Sequence, residues 1–256
     1  MDTGWHAFGP DPGDMVTVRG LQLQVDVDPG VVWRVGYRPD PWAWTPWQYA
    51  VGGRFGGRWD DPAGEFRTVY AGGSLLGCLL EVLAPFRPDL VLAEVVEGIE
   101  EDPVDAEQYP TGPSGRVPRD WLLPRVASTA RLTGRYVAVS HMYSLGSLRQ
   151  RFRQLARRLG RPDLDASALK AAQPRELTQT IARWLYRSPA DPDSRPVDGV
   201  RFDSRHGDGV ALWAVFEQPG DPAVSPQLTD PAEHPLTDTS PDLLQALATH
   251  RLTWAD

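Results

Sequence analysis

Three stretches of the chain gather side chains of the kinds that do chemistry. Residues 52–70, GGRFGGRWDDPAGEFRTVY, crowd five glycines and three arginines among two aspartates and one glutamate. Glycine lets a backbone approach a ligand closely, and the planar guanidinium fork suits a phosphate or a carboxylate. The stretch is no P-loop, because the Gly-Lys-Ser/Thr ending and the strand–loop–helix frame are both missing. Taken alone, GGRWDDPAG is a weak signal that reads more readily as a hairpin loop. Further on, GGSLLGCLLEVLAPF spaces Ser74, Gly77, Cys78 and Glu81 as one stripe of a helix otherwise filled by leucine and valine. A lone carboxylate on an apolar helix must find a partner or neutralise. Glu81 is therefore either half of a structural ion pair or an active-site carboxylate in a pocket. The third stretch, FDSRHGDG, holds Ser204, His206 and Asp208 within one loop. A serine-hydrolase reading fits it poorly, since the G-x-S-x-G turn is absent and three residues of one loop seldom make a triad. His206 is expected to be an exposed turn residue.

The elements that must carry these residues follow from pattern. MVTVRG and LQLQVDV alternate as a hairpin or as edge strands with polar and apolar faces, and VVWRVG (31–36), RTVYA (67–71) and GRYVAVS (134–140) read as strands. Ser74 caps the Glu81 helix and Pro85 closes it. A strand is expected at DLVLAEVVE (89–97), and residues 98–133 read as an acidic, then proline-rich surface excursion. Helices follow at LGSLRQRFRQLARRLG, stopped by Gly160, and PRELTQTIARWLYR, which buries Leu177, Ile181, Trp184 and Leu185. Residues 197–217 give two strands and a turn. The rest is proline-rich as far as a short helix, SPDLLQALATH, capped by Ser240. Strands and helices mix without βαβ alternation, so the fold class is α+β. Residues 1–30 form an N-terminal strand extension, 31–218 a main domain with a long excursion at 98–196, and 219–256 a C-terminal tail.

At 256 residues, with 41% hydrophobic and 9% aromatic content, the chain can bury a large core. A net charge of −8 argues against direct nucleic-acid binding. The opening residues lack the basic and apolar regions of a signal peptide, and no apolar run is long enough for a membrane span, so a cytoplasmic protein is expected. The single cysteine, Cys78, excludes an internal disulfide and a cysteine-based zinc site. Arginine supplies all the basic charge except Lys170, so one arginine alone signifies little. The run RQRFRQLARR (149–158) reads as a solvated helix face on which an acidic partner could dock. Trp42, Trp44 and Trp47 suit a loop packed on its own domain better than the wall of an aromatic site.

Taken together the motifs resemble the RES family, named for an arginine, a glutamate and a serine spread along one domain. The early arginine corresponds to Arg34 in VVWRVGYR, and GGRWDDPAG supplies Arg58, with Asp60 where asparagine is usual. TVYA supplies Tyr70, LLEVL supplies Glu81, and DGVRFDSR supplies Ser204 with Phe202 in its aromatic position. The resemblance implies a fold similar to ADP-ribosyltransferases, a split, mainly antiparallel β core with flanking helices and NAD in its cleft. It implies an NAD-consuming enzyme, a hydrolase or phosphorylase, acting as the toxin of a toxin–antitoxin pair. The alternatives are a mono-ADP-ribosyltransferase that modifies a macromolecule, and an idle RES-like module that binds a nucleotide or partner. Glu81, Arg58, Ser204 and Tyr70 are the implied catalytic residues. Arg34, Arg54, Arg58, Tyr70 and Ser204 are the implied NAD contacts, with Arg54 supporting. No metal is expected, and no cofactor beyond NAD as substrate. The implied partners are phosphate as an acceptor and a helix-turn-helix repressor-like antitoxin, with self-association left open.

Overall fold

The computed structural model describes residues 15–88, 115–188 and 197–255. The strand expected at 89–97 lies outside them, as do 98–114 of the excursion and the opening residues.

The chain starts with a tight hairpin. β1 (Met15–Val18) and β2 (Leu21–Val27) pair antiparallel across Arg19 and Gly20, both in the left-handed region at φ 47° and 80°. That turn matches the twist of its strands. β3 (Gly30–Tyr37) and β4 (Thr68–Gly72) follow, then α1 (Leu75–Leu83), whose N-cap Ser74 accepts from the Gly77 amide at 3.1 Å. Next come β5 (Arg116–Val117), β6 (Arg125–Leu132) and β7 (Arg135–Ala138). Three helices, α2 (Met142–Arg158), α3 (Ala166–Lys170) and α4 (Glu176–Tyr186), precede β8 (Gly199–Asp203) and β9 (Ala211–Phe216). β10 (Leu228–His234), α5 (Pro241–His250) and β11 (Thr253–Trp254) close the chain. Gly160 ends α2 at φ +77°, and α4 buries Leu177, Ile181, Trp184 and Leu185, as the pattern requires.

Nine strands form one sheet in the order β1-β2-β7-β8-β9-β4-β3-β6-β10, while β11 and β5 form a small parallel pair. Within the large sheet only β7–β8 is parallel. The fold is therefore α+β around a mainly antiparallel sheet, as expected. Each of the outlying spans contributes a strand to the sheet. Within 1–30, β2 pairs with β7. Within 98–133, β6 lies between β3 and β10. Within 219–256, β10 pairs with β6. Among the described residues no helix is long and apolar enough to cross a membrane.

Register decides which side chains share a face, since directly paired residues point the same way. Phe202, Leu212, Gly72 and Trp33 form one row across β8, β9, β4 and β3. Two cores lie side by side on that face. One packs Phe152, Leu177 and Ile181 on Val200, Phe202 and Ala214; the other packs Leu79, Leu83, Leu243 and Leu247 on Val35 and Ala127. The opposite face is covered by Trp42 and Trp44, each 3% exposed. Their indoles donate to the Ser128 hydroxyl and the Pro222 carbonyl, so this loop packs on its own domain, away from the cleft described below.

Candidate active site

The sheet is split where the two cores meet. β3 and β4 share a single registered pair, Trp33 with Gly72, whereas β3 pairs with β6 along its whole length. A cleft of about 730 Å³ lies here, lined among others by Arg34, Arg58, Tyr70, Glu81, Phe202 and His206. Arg34 bridges the split. Its Nε donates to the Pro41 carbonyl and its Nη1 to the Tyr70 carbonyl, both at 2.7 Å. Burial lowers its pKa, and no carboxylate among the described residues pairs with it. Such a cation retains donor capacity for an anion.

Arg58 comes from a loop closed from within. Asp60 accepts from the Gly57 amide through one oxygen and from the Tyr70 hydroxyl through the other, at 2.8 Å, while that hydroxyl accepts from the Trp59 amide at 2.9 Å. A Cβ at Gly57 would lie 2.5 Å from both Asp60 Oδ2 and the Tyr70 oxygen, so glycine is required there. Two donors converge on two carboxylate oxygens, which explains how aspartate serves where asparagine is usual. Burial raises the pKa of Asp60, and it raises that of Tyr70 well above the ordinary phenol value. The Tyr70 hydroxyl is thus a neutral strut for the loop. From outside, α4 holds the same loop: Arg175 donates to the Gly56 carbonyl and Gln179 to the Gly57 carbonyl, the latter at 2.9 Å. The Arg58 guanidinium emerges over the Phe202 ring, 5.8 Å from its centroid, and donates no hydrogen bond to any described residue. Burial lowers its pKa, and Glu81 opposes that shift.

Glu81 faces the same space from α1, its side chain 31% exposed. Ser204, buried at the end of β8, donates to Glu81 Oε1 at 2.5 Å and accepts from the His206 amide at 2.9 Å. The serine fixes the carboxylate's direction and leaves its second oxygen toward the cleft. His206 lies 4.0 Å from that oxygen. Its side chain is 3% exposed, which corrects the expectation of an exposed turn residue. Burial, then Arg205, His250, Arg87 and Arg58, push its pKa down to about 4, so the ring is neutral near pH 7. Cys78 also lines the cleft; its thiol donates to the Trp33 carbonyl at 3.1 Å, and burial pushes its pKa up to about 12.

Five expected residues, Arg34, Arg58, Tyr70, Glu81 and Ser204, thus meet in one place. Arg54 does not: it sits exposed in a tight turn with Val51 and does not line the cleft. The sequence reading missed Arg125, Arg175 and Arg205, which also line it. In an arginine-rich chain nothing local promotes them. The lining residues carry several arginines and a single acid, Glu81, inside a protein of net charge −8. Fixed cations facing one oriented carboxylate can hold a polyanion and stabilise positive charge developing beside it. Among the described residues no cluster of His, Cys, Asp and Glu is arranged to hold a metal ion.

Comparison with known proteins matches residues 31–238 to the model of the RES domain. A solved chain from the crystal structure of the M. tuberculosis MbcT–MbcA toxin–antitoxin complex is similar, with a TM-score of 0.43 and 15% identity. The match covers 85% of this chain and 88% of that one. Comparison with the curated proteins gave no match.

Proposed function

We propose, from the premise that the chain belongs to the RES domain family, that it cleaves the nicotinamide–ribose bond of NAD and serves as the toxin of a toxin–antitoxin pair. One observation carries the reading. A carboxylate oriented by a buried serine faces a guanidinium with no hydrogen-bond partner among the described residues, across a cleft large enough for a dinucleotide.

The chemistry suits those residues. In NAD the bond from ribose C1′ to the pyridinium nitrogen breaks with its electron pair leaving on nitrogen, so nicotinamide departs neutral without a general acid. Positive charge grows on the ribose, and Glu81 stabilises it as a carboxylate does in glycosidases. Arg58 and Arg34 hold the pyrophosphate and fix the ribose against Glu81. Oxygen of water or phosphate then bonds to C1′, giving ADP-ribose or its phosphate ester, and water's proton passes to solvent. The toxin assignment draws on family membership, and the similar solved chain comes from a toxin–antitoxin complex. An antitoxin that covers the cleft is the corresponding partner.

The test is incubation of the purified chain with NAD, with and without phosphate, followed by mass analysis. Release of nicotinamide with ADP-ribose or its phosphate ester is the expected outcome. ADP-ribose attached to a protein would move the protein to the transferase reading, and intact NAD would overturn the assignment.

A further inference from the structure

We infer that Tyr37 and Arg125 form a stacking subsite for the base at the far end of the dinucleotide, the adenine of NAD; the inference rests on the function proposed above. Tyr37 and Arg125 are direct register partners at the ends of β3 and β6, and both line the cleft. The Arg125 guanidinium lies 4.6 Å from the centroid of Tyr37 and 4.5 Å from that of Trp121. It donates through Nη1 to the Trp121 carbonyl and through Nη2 to the Tyr37 hydroxyl, both at 2.7 Å. The Arg125 guanidinium thus contacts two aromatic rings, of which Tyr37 is 60% exposed. A large aromatic ring held this firmly yet left in water has a free surface suited to one more planar ring. Its fixed geometry means that little side-chain freedom remains to be lost on binding.

Position identifies the ring. Trp33 stands in the sheet row of Phe202, over which Arg58 lies. Tyr37 is four residues further along β3, about 13 Å at strand spacing. Arg34 lies between them on the same strand. The order along β3 is therefore guanidinium first, at the Trp33 end where Arg58 and Arg34 lie, and then the aromatic platform. That is the order of pyrophosphate and base in the dinucleotide.

Two measurements on the full chain test this. In the first, cleavage of NAD is compared with cleavage of nicotinamide mononucleotide, which lacks the adenylate half. Tyr37→Ala should raise the KM for NAD about tenfold, the size of one lost base–aromatic stack, and lower the preference for NAD over the mononucleotide by the same factor. Tyr37→Phe, which keeps the ring, should restore that preference. An unaltered preference in folded Tyr37→Ala overturns the inference, as does a loss shared equally by both substrates. In the second, ADP binding is measured by titration calorimetry, which needs no turnover. About tenfold weaker binding to Tyr37→Ala supports the subsite even if the chain leaves NAD intact, an outcome that would sink only the proposed reaction. ADP that fails to bind the wild-type chain, or binds both equally, removes the subsite.

Discussion

Glu81 brings a single negative charge into a cleft lined by guanidinium groups, and its neighbours decide what removing that charge would do. Ser204 holds one oxygen, and neutral His206 stands beside the other. In Glu81→Gln the amide oxygen can still accept from Ser204, so shape and most hydrogen bonding remain. If the charge stabilises the ribose cation, turnover should fall by about a hundredfold or more, the cost of one preorganised electrostatic group. The KM for NAD should change far less, because that cation exists only near the transition state. Kinetics and a melting curve on one preparation check this, and near-normal turnover would move Glu81 out of the chemistry. No arginine forms an ion pair with Glu81 among the described residues, which disfavours the structural-pair reading weighed from the sequence. Arg58, Glu81 and Ser204 were legible in sequence because each sits in a short motif with a fixed offset. His206 was not, since its burial comes from Arg87 and His250, residues distant in the chain. The four-residue spacing of Arg54 and Arg58 could not reveal that a turn at Val51–Arg54 points them apart.

At the scale of elements, α1 was legible from its cap and its leucines, whereas two strands were hidden for identifiable reasons. β6 reads RVASTARL, and its small Ala, Ser and Thr residues dilute the alternation that marks a strand. β10 contains Pro231, and its register shifts between Thr229 and Ala232, with Asp230 at φ +51°. Proline and a bulge are tolerated there because β10 is an edge strand. α5 also has a function its tail-like surroundings concealed. Leu243, Ala246 and Leu247 pack it against α1. His250 at its end bonds the Leu80 carbonyl at 2.8 Å, and its ring meets His206 edge-on with centroids 5.3 Å apart. The last helix therefore braces both the backbone beside Glu81 and the ring beside its carboxylate. His250→Ala removes a buried donor, a change of about 1–3 kcal/mol. At roughly 2–4 °C per kcal/mol for a chain of this size, the melting temperature should drop by several degrees. Turnover well below that temperature should also fall, because Glu81 loses its brace. A variant with lower stability and unaltered turnover would show that α5 supports the fold alone.

Considered as a whole, the molecule has two cores on one face of one sheet, with the cleft at the seam where β3 and β4 part. Arg58 reaches that seam beside Phe202 of the first core, while Glu81 extends from α1 of the second. A ligand that engages Arg58, Arg34 and Glu81 together would tie the two halves across a line where the sheet contributes one registered pair. Ligands that bind only the folded state stabilise it by mass action, by about 2.7 kcal/mol at a concentration of a hundred times Kd. ADP-ribose, which carries the pyrophosphate but no leaving nicotinamide, should at that concentration raise the melting temperature by roughly 5–10 °C. Arg58→Ala at the same ligand concentration should lose most of the gain, because a charge-assisted pair of hydrogen bonds to phosphate goes with the guanidinium. The comparison with plain salt separates specific binding from screening: sodium chloride of equal ionic strength screens the net charge of −8 alike in wild type and Arg58→Ala, so any shift it causes should not depend on Arg58. A melting temperature that stays flat up to millimolar ADP-ribose, or one that rises equally with and without Arg58, would mean that the arginines at the seam serve the fold and not a pyrophosphate.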